Sequence, residues 1–381
     1  MNRCGVVVLY DKEGIIDNYI FALLQELQTV ANRIIVVVNG IVLPCYEEKI
    51  RAITDEIIIR PNIGYDGTAY KEVILDYFEQ EELQQYDELV LCNDTFYGPF
   101  QPLKDIFESM DHTSGDFWGL LWADVWWGQF IATFFMVLRK AIVQSDSLAQ
   151  FFHQMPEITD FITACTHFEY PLTTYLIERD YSYGTYATQQ EGMLYRYPME
   201  SIGTGLDILK KKSFAPKYYK QGALLNTLRY IHEKTIYDIN LILDSVNRIY
   251  ECGITKEQVL ADPYSSSYPA VGAEGEQVTP ELELRKWIES EDVIYLYGAG
   301  FYTSVFLYKY KEYRGRIAGI VVSDGHLVEH TYEGYEVLEY SELIRRSKGV
   351  NMPILVTVQY PEQLGIEDLL GEGERVCYLF G

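Results

Sequence analysis

The chain has 381 residues, 48% hydrophobic and 23% charged, which is the composition of an ordinary globular protein large enough for two or three domains. Its 56 acidic and 31 basic residues give a formal net charge of −25, which argues against nucleic acid or an anionic membrane as a general partner, because both would be repelled over most of the surface. The six cysteines include no Cys-x-x-Cys pair, so neither a zinc site nor a disulfide framework is predicted.

Residues 1–220 alternate apolar strands with amphipathic helices. The predicted strands "GVVVLY", "RIIVVVNG", "EIIIRP" and "ELVLC" are continuous apolar runs, and helices are predicted after the first and third of them. Such strands favour a mostly parallel sheet with helices on both faces. Further along, "DFWGLL" and "FIATFFMVL" predict one strand each, and "HFEYPLTTYLIERDYSYGTY" predicts a loop, a helix and a strand.

The remaining residues predict a helical extension, a linker and a second domain. Residues 221–261 have apolar residues at helical spacing, whereas residues 262–280 are rich in Ser, Pro and Gly. Residues 281–381 predict a smaller Rossmann-like α/β domain. Gly298 and Gly300 begin a dinucleotide fingerprint, but Thr303 replaces its third glycine. We interpret the domain as a nucleotide-binding relic or an interaction module, with an NAD-dependent enzyme as the alternative.

Polar residues follow the strands at one edge of the predicted first sheet. Ligands of such sheets bind beyond the carboxyl ends of the strands, so these residues are candidates for a binding site. They are Tyr10, Asn39, Asn62, Gly64, Asp66, Asn93 and Asp94. Asp94 could hold a hard divalent cation that bridges a diphosphate. Alternatively, Asp94 caps the next helix or bonds the Tyr97-Gly98 turn.

Five stretches, in this order and spacing, resemble the rhamnan synthesis protein F family: "NIGYDGTAYKE", "YDELVLCNDTFYGPF", "DFWGL", "FMVLRKAI" and "FEYPLTTYLIERDYSYGTY". The resemblance covers roughly residues 1–220. It implies a GT-A-like domain and an inverting bacterial glycosyltransferase, specifically a rhamnosyltransferase. The implied donor is a nucleoside-diphosphate sugar, dTDP-rhamnose or a UDP-sugar, and the implied acceptor is a polysaccharide or a lipid-linked sugar.

The resemblance also implies a metal ligand and a donor site. GT-A enzymes carry Asp-x-Asp, whereas this chain has Asn93-Asp94-Thr95 with a single carboxylate. Asp94 is therefore the implied ligand for Mg²⁺ or Mn²⁺, and a metal-independent enzyme is the alternative. His153 and His167 are further candidate ligands, although a lone histidine is more often structural. The residues named above at the sheet edge become donor-binding candidates.

Two residues are candidates for the general base that removes the proton from the acceptor hydroxyl. The resemblance implies Glu169, which stands three residues before Leu172, although Phe168 replaces the first member of the family's acidic pair. Asp116, in "GDFWGL", is the second candidate. Glu169 could instead be an ordinary carboxylate in the first turn of a helix, where its negative charge interacts favourably with the helix dipole.

Clusters of lysine and tryptophan complete the predicted site. The segment "LKKKSFAPKYYK" concentrates Lys210, Lys211, Lys212, Lys217 and Lys220 in an acidic chain, where they could bind the donor diphosphate or a lipid-pyrophosphate acceptor. Lys211, Lys212 and Lys217 are the selected donor-binding candidates. A solvated basic loop is the alternative. Trp126 and Trp127 are predicted to stack on acceptor sugars, with a core or subunit-interface role as the alternative.

We expect a cytoplasmic protein. The sequence starts with no secretory signal and contains no apolar run long enough to span a bilayer. Peripheral contact with the inner face of the membrane and homo-oligomerisation stay open. The alternative to an enzyme is a non-catalytic protein of the same scaffold that binds carbohydrate or a nucleotide sugar.

Overall fold

The computed structural model describes residues 1–113, 115–125, 128–190, 193–196, 198–203, 205–215, 221–261, 280–348, 350–358, 370 and 375–379. The chain divides into two compact units, Met1–Glu274 and Gly275–Gly381. The predicted linker at 262–280 lies outside the described residues except for Pro280.

Strands form the centre of the first unit. They are β1 (Arg3–Leu9), β2 (Arg33–Asn39), β3 (Glu56–Arg60), β4 (Glu88–Asn93), β5 (Phe96–Tyr97), β6 (Phe117–Val125), β7 (Gly128–Ile131), β8 (Phe135–Arg139), β9 (Tyr183–Gln190) and β10 (Leu209–Lys210). Eight strands form one sheet in the order β3-β2-β1-β4-β8-β6-β7, with β9 beside β6. The other two, β5 and β10, form a separate antiparallel pair.

Helices lie on both faces of the eight-stranded sheet. They are α1 (Asn18–Gln28), α2 (Pro44–Arg51), α3 (Tyr65–Glu79), α4 (Leu103–Asp111), α5 (Lys140–Val143), α6 (Ser147–Gln154), α7 (Phe161–Ala164), α8 (Tyr170–Ile177), α9 (Met193–Arg196), α10 (Pro198–Gly203), α11 (Gln221–Lys234), α12 (Asn240–Tyr250) and α13 (Lys256–Leu260). Because successive side chains of a strand alternate, Val7 packs in one core with α1, and Val6 in another with α3.

The sheet register fixes which residues share an edge. β1 runs parallel to both neighbours, so that Val7 pairs with Val36 of β2 and with Cys92 of β4. The carboxyl ends of these strands therefore lie at the same edge. β8 runs antiparallel between β4 and β6, and it pairs Arg139 with Glu88 at the start of β4.

The structure confirms the predicted α/β fold, a mostly parallel sheet covered by helices on both faces. One local prediction was wrong. The run "FIATFFMVL" forms the end of β7, a turn and β8, and not one strand. Ala132 and Phe134 in this turn are buried, so the turn lacks the polar signal that usually marks a chain reversal.

The second unit contains a six-stranded sheet with helices. Its strands are β11 (Ile294–Tyr297), β12 (Ile317–Val322), β13 (Thr331–Tyr332), β14 (Tyr335–Glu339), β15 (Ile354–Val356) and β16 (Val376–Tyr378), in the order β13-β14-β12-β11-β15-β16. Its helices are α14 (Pro280–Ser290), α15 (Phe301–Lys309) and α16 (Tyr340–Arg346). The parallel strands lie in the order β14-β12-β11-β15-β16, which is the order of a Rossmann-like sheet.

Thr303 fills the position of the missing third glycine in this unit. Its side chain is buried, and its hydroxyl bonds to the carbonyl of Gly298 and lies 2.6 Å from the hydroxyl of Thr357. Thr357 in turn donates to the carbonyl of Tyr297 at 2.8 Å. Hydroxyl groups therefore tie α15 to the ends of β11 and β15, where a dinucleotide fingerprint would rely on close packing of glycine.

Within the described residues, no helix combines the length and apolar character needed to cross a bilayer.

Substitution of Gly67 tests how closely α3 packs against the core that contains Val6 and Phe168. A Cβ at this position would lie 2.7 Å from Cδ1 of Ile158 and 2.8 Å from Cγ of Phe168. We expect Gly67→Ala to lower the free energy of unfolding by about 1–3 kcal/mol, because the core must shift to admit the methyl group. Urea denaturation of the full chain, followed by far-UV circular dichroism, measures this change.

Gly5→Ala is the matched control. A Cβ at Gly5 would lie 3.9 Å from the carbonyl oxygen of Arg33, an ordinary van der Waals contact. Equal losses of stability in the two variants would show that the close contacts at Gly67 do not decide the result.

Candidate functional site

The Asn93-Asp94-Thr95 tripeptide forms the turn that joins β4 to β5. The side-chain oxygen of Asn93 accepts hydrogen bonds from the backbone N–H of Thr95 at 3.2 Å and from its hydroxyl at 2.7 Å. Its amide nitrogen donates to Oδ2 of Asp66 at 2.8 Å. Asn93 therefore makes the local Asx turn that the sequence left open for Asp94. The carboxylate of Asp94 is left to other partners.

The β5–β10 pair brings lysine side chains to this turn. Lys210 pairs with Phe96 in the antiparallel register, and the backbone N–H of Lys211 donates to the carbonyl of Thr95 at 3.1 Å. Nζ of Lys210 donates to the hydroxyl of Thr95 at 2.5 Å and lies 4.0 Å from the ring centroid of Phe134. Nζ of Lys211 lies 3.2 Å from Oδ2 of Asp94. Sequence reasoning placed both lysines in the basic cluster but selected only Lys211 as a donor-binding residue.

The three consecutive lysines titrate differently because their surroundings differ. Burial lowers the pKa of Lys210 to about 7, although the charges of Glu169 and Asp66 oppose this shift. Burial alone would also lower the pKa of Lys211, but the adjacent Asp94 carboxylate raises it above its ordinary value. Burial lowers the pKa of Lys212, whose ammonium lies 4.8 Å from the ring centroid of Phe161.

Glu169 faces the same group of charges from the helical side. It ends a π-helical turn, Cys165–Glu169, directly before α8. Its Oε1 accepts long hydrogen bonds from Thr133, at 3.3 Å from the backbone N–H and 3.4 Å from the hydroxyl. Burial, together with the charge of Asp66, raises the pKa of Glu169 to about 6, and Lys210 opposes the shift. Phe168 is buried in the core, which explains why no carboxylate stands there.

Asp66 and Gly64 lie at the beginning of α3. Gly64 has a φ of 75°, the left-handed conformation that favours glycine, and it precedes the first helical residue. Asp66 accepts from the N–H of Gly67 at 3.0 Å and from Asn93, and burial raises its pKa above the ordinary value. These contacts place the predicted donor-binding residue Asp66 beside the tripeptide.

Two other predicted donor-binding residues at this edge have different surroundings. Asn39 is buried, where its oxygen accepts from Arg60 at 2.6 Å and its nitrogen donates to the carbonyl of Tyr65 at 3.0 Å. It therefore braces the loop that precedes α3. Asn62 lies exposed in that loop.

A small pocket adjoins Asp94 and Lys211 at the end of β1. Tyr10, Asp11 and Arg248 also line it. Arg248, on α12, donates to Asp11 at 2.7 Å and to both carboxylate oxygens of Asp17 at 2.8 Å. Burial alone would raise the pKa of Asp11. Hydrogen bonds from the backbone N–H of Ile15 and from the guanidinium of Arg248 instead hold this pKa below its ordinary value. Sequence reasoning missed Arg248 because its partners lie more than two hundred residues away in the chain.

Asp116, the second candidate base, lies at the opposite edge of the sheet. Its carbonyl accepts from Arg139, which pairs with Glu88 at the start of β4, whereas Asn93 ends that strand. Five residues of strand separate the two edges by about 16 Å. The carboxylate of Asp116 accepts hydrogen bonds from the backbone N–H of Ser182 at 2.8 Å and from the Ser182 hydroxyl at 2.7 Å. Asp116 therefore does not share a site with Asp94.

Three predicted residues, Trp126, Trp127 and Lys217, lie outside the described residues. The two candidate histidines are placed: His153 is exposed near the end of α6, and Nδ1 of His167 lies 2.8 Å from the carbonyl oxygen of Glu157.

The donor atoms around Asp94 do not fit a divalent cation as the tripeptide stands. Hard cations need six or more oxygen ligands, or waters in their place. Within the described ranges, no group of three or more His, Cys, Asp and Glu side chains converges. The oxygen of Asn93 is already used by Thr95, and the ammonium of Lys211 sits on the Asp94 carboxylate. The Mg²⁺ or Mn²⁺ requirement stays a prediction.

Comparisons with known proteins place this chain in one sequence family. Residues 34–278, more than half of the chain, match the family model of rhamnan synthesis protein F. This match confirms the family that the sequence motifs predict, and it ends before α14. No curated protein matches the chain.

Solved structures show only a distant likeness. A protein assigned as a nucleotide-diphospho-sugar transferase from Desulfovibrio desulfuricans G20 is 11% identical, with a TM-score of 0.32, over 52% of this chain and 88% of its own. HddC from Yersinia pseudotuberculosis is 12% identical, with a TM-score of 0.29, over 49% and 91%. The glycosyltransferase GlyE of Streptococcus pneumoniae TIGR4 is 12% identical, with a TM-score of 0.33, over 100% and 96%.

The buried ammonium of Lys210 predicts a pH-dependent stability. In the unfolded chain the pKa of Lys210 is 10.5, whereas burial lowers it to about 7 in the folded chain. Between these values the unfolded state binds more protons, so the contribution of Lys210 to the free energy of unfolding rises with pH. We expect wild type to gain stability relative to Lys210→Met as the pH rises from about 7 to about 10 in urea denaturation.

Lys140→Met is the matched control, because Lys140 has a side chain that is 63% exposed and pairs with Asp87 at the opposite edge. A pH-independent difference between wild type and Lys210→Met would show that Lys210 keeps an ordinary pKa in the folded chain.

Proposed function

The chain belongs to the rhamnan synthesis protein F family, and we propose that it is an inverting glycosyltransferase that transfers a sugar, in the first instance rhamnose, from a nucleoside-diphosphate donor. The proposed acceptor is a polysaccharide or a lipid-linked sugar. One observation carries the proposal: a single edge of the sheet unites the raised-pKa carboxylate of Glu169 with the ammonium groups of Lys210 and Lys211. Membrane contact and homo-oligomerisation stay predictions.

Glu169 is the proposed general base. Its carboxylate takes the proton of the acceptor hydroxyl while that oxygen attacks the anomeric carbon of the donor, and the bond from this carbon to the phosphate oxygen breaks. Attack from the face opposite the leaving group inverts the anomeric centre. A pKa of about 6 leaves Glu169 largely ionised at neutral pH while keeping it a useful base. Thr133 orients the carboxylate through its two hydrogen bonds.

The leaving nucleoside diphosphate gains negative charge as the bond breaks. Lys210 and Lys211, fixed beside Asp94, would stabilise this charge because ammonium groups act as compact point charges towards phosphate. Tyr10, which is 47% exposed beside the small pocket at the end of β1, would be available to stack on the nucleoside base.

A panel of donors tests the proposal. We expect the purified chain to hydrolyse dTDP-rhamnose slowly in the absence of acceptor, faster than UDP-sugars or GDP-sugars, as measured by release of the nucleoside diphosphate. Calorimetry with the same donors would measure binding separately. Binding without turnover towards any donor or acceptor sugar would favour the non-catalytic alternative, in which a scaffold of this family only holds a nucleotide sugar.

Substitution of Glu169 tests the proposed base. We expect Glu169→Gln to retain donor affinity and to reduce transfer by about two orders of magnitude, because the positioned proton acceptor is lost. The wild-type rate should rise as the pH increases through about 6, where the carboxylate ionises, and the variant should lose this rise.

Asp116→Asn is the control for Glu169→Gln, because Asp116 lies at the opposite edge and bonds to Ser182. It should leave the transfer rate and its pH profile unchanged. If Asp116→Asn lost the activity and Glu169→Gln kept it, the assignment of the base would be wrong.

A further inference from the structure

We propose that Lys210 and Lys211 themselves hold the donor diphosphate and take the place of a divalent cation at Asp94. This inference rests on the proposed function and names the groups that meet the donor's phosphates. It follows from three observations: the way the backbone places the lysines, the partners that the tripeptide already has, and the small exposed fraction of both ammonium-bearing side chains.

The backbone places both lysines independently of their side-chain contacts. Lys210 pairs with Phe96 across the β5–β10 ladder, and the N–H of Lys211 donates to the carbonyl of Thr95 at 3.1 Å. The register thus sets two consecutive lysines directly opposite the turn that ends β4. The backbone of a lysine in a flexible surface loop is not held in this way. The fold itself therefore fixes the positions of Lys210 and Lys211.

The polar side-chain atoms of the turn already bond to other protein groups. The oxygen of Asn93 accepts twice from Thr95, while the hydroxyl of Thr95 accepts from Lys210. Lys211 already neutralises Asp94 at 3.2 Å. A divalent cation bound by the same carboxylate would be repelled by this ammonium at short range, because like charges repel strongly in a partly buried site.

The low exposure of the lysines favours an anionic ligand. The side chain of Lys211 is 17% exposed, and Lys210 is buried, with its ammonium between the hydroxyl of Thr95 and the ring of Phe134. A buried ammonium is stabilised by an anion more strongly than an exposed one. Asp94 pairs with Lys211, and the charges of Glu169 and Asp66 act on Lys210. A diphosphate would meet both ammonium groups directly. Asp94 therefore orients Lys211 and competes with the ligand for it.

Nucleotide binding to the full chain, measured by calorimetry with UDP and dTDP, tests the inference without requiring turnover. We expect the same affinity in EDTA and in Mg²⁺ or Mn²⁺. Lys211→Gln should weaken binding by about tenfold or more, because a charge-assisted contact is lost. Lys211→Arg, which keeps the charge, should retain most of the affinity and shows that a change at this position is compatible with folding.

Asp94→Asn separates the two explanations. A metal ligand at this position predicts loss of nucleotide affinity in the variant, whereas a competing carboxylate predicts affinity at least equal to that of wild type. Lys140→Gln, at the opposite edge, should leave binding unchanged. Binding that disappears in EDTA, returns with Mn²⁺ and is lost in Asp94→Asn would overturn the lysine site while leaving the proposed function intact. No nucleotide binding by wild type in either medium would overturn both.

Discussion

The short ladder between β5 and β10 is the constraint on which the candidate site depends. It spans only Phe96–Tyr97 and Leu209–Lys210, and such a short pair is not stable alone. Aromatic packing supports it: the ring of Tyr97 lies 4.7 Å from that of Tyr19 and 6.1 Å from that of Phe214, and Phe96 lies 5.4 Å from Phe134. The buried aromatic cluster therefore holds the lysines against the end of β4, and the local electrostatics follow from packing.

That packing resolves an apparent conflict between the charge of the chain and the proposed ligand. A protein with a net charge of −25 repels anions at long range, so an anionic donor can bind only where positive charge is concentrated and shielded from the surface acids. Lys210 and Lys211 provide this concentration, while Glu169, Asp66 and Asp94 limit the cost of burying it. Asp66 keeps the pKa of Lys210 from falling further and also raises that of Glu169, so one carboxylate influences both groups.

The sequence predicted the parts of this arrangement that have a local signal. Continuous apolar strands and helical spacing were sufficient for the mostly parallel sheet, and the carboxyl-end rule brought Asp66, Asn93 and Asp94 to one edge. A two-residue strand such as β10 has no periodicity, so Lys210 could not be distinguished from a solvated lysine. Asp116 has a clear motif, but it precedes β6, which runs in the same direction as β4, so it lies at the edge where these strands begin and not where β4 ends. Sequence reasoning missed Arg248 because its partner Asp11 lies 237 residues away in the chain.

Helix α12, in the predicted helical extension, contacts the candidate site. The hydroxyl of Tyr97 on β5 donates to Ser245 on α12 at 3.1 Å, and Ser245 donates to Asp17 at 2.8 Å. Arg248, one turn further along α12, bonds to the same Asp17 and to Asp11 beside the pocket. A continuous chain of hydrogen bonds thus runs from the lysine-bearing ladder, through α12, to the loop after β1. The family match, which reaches residue 278, also includes α12.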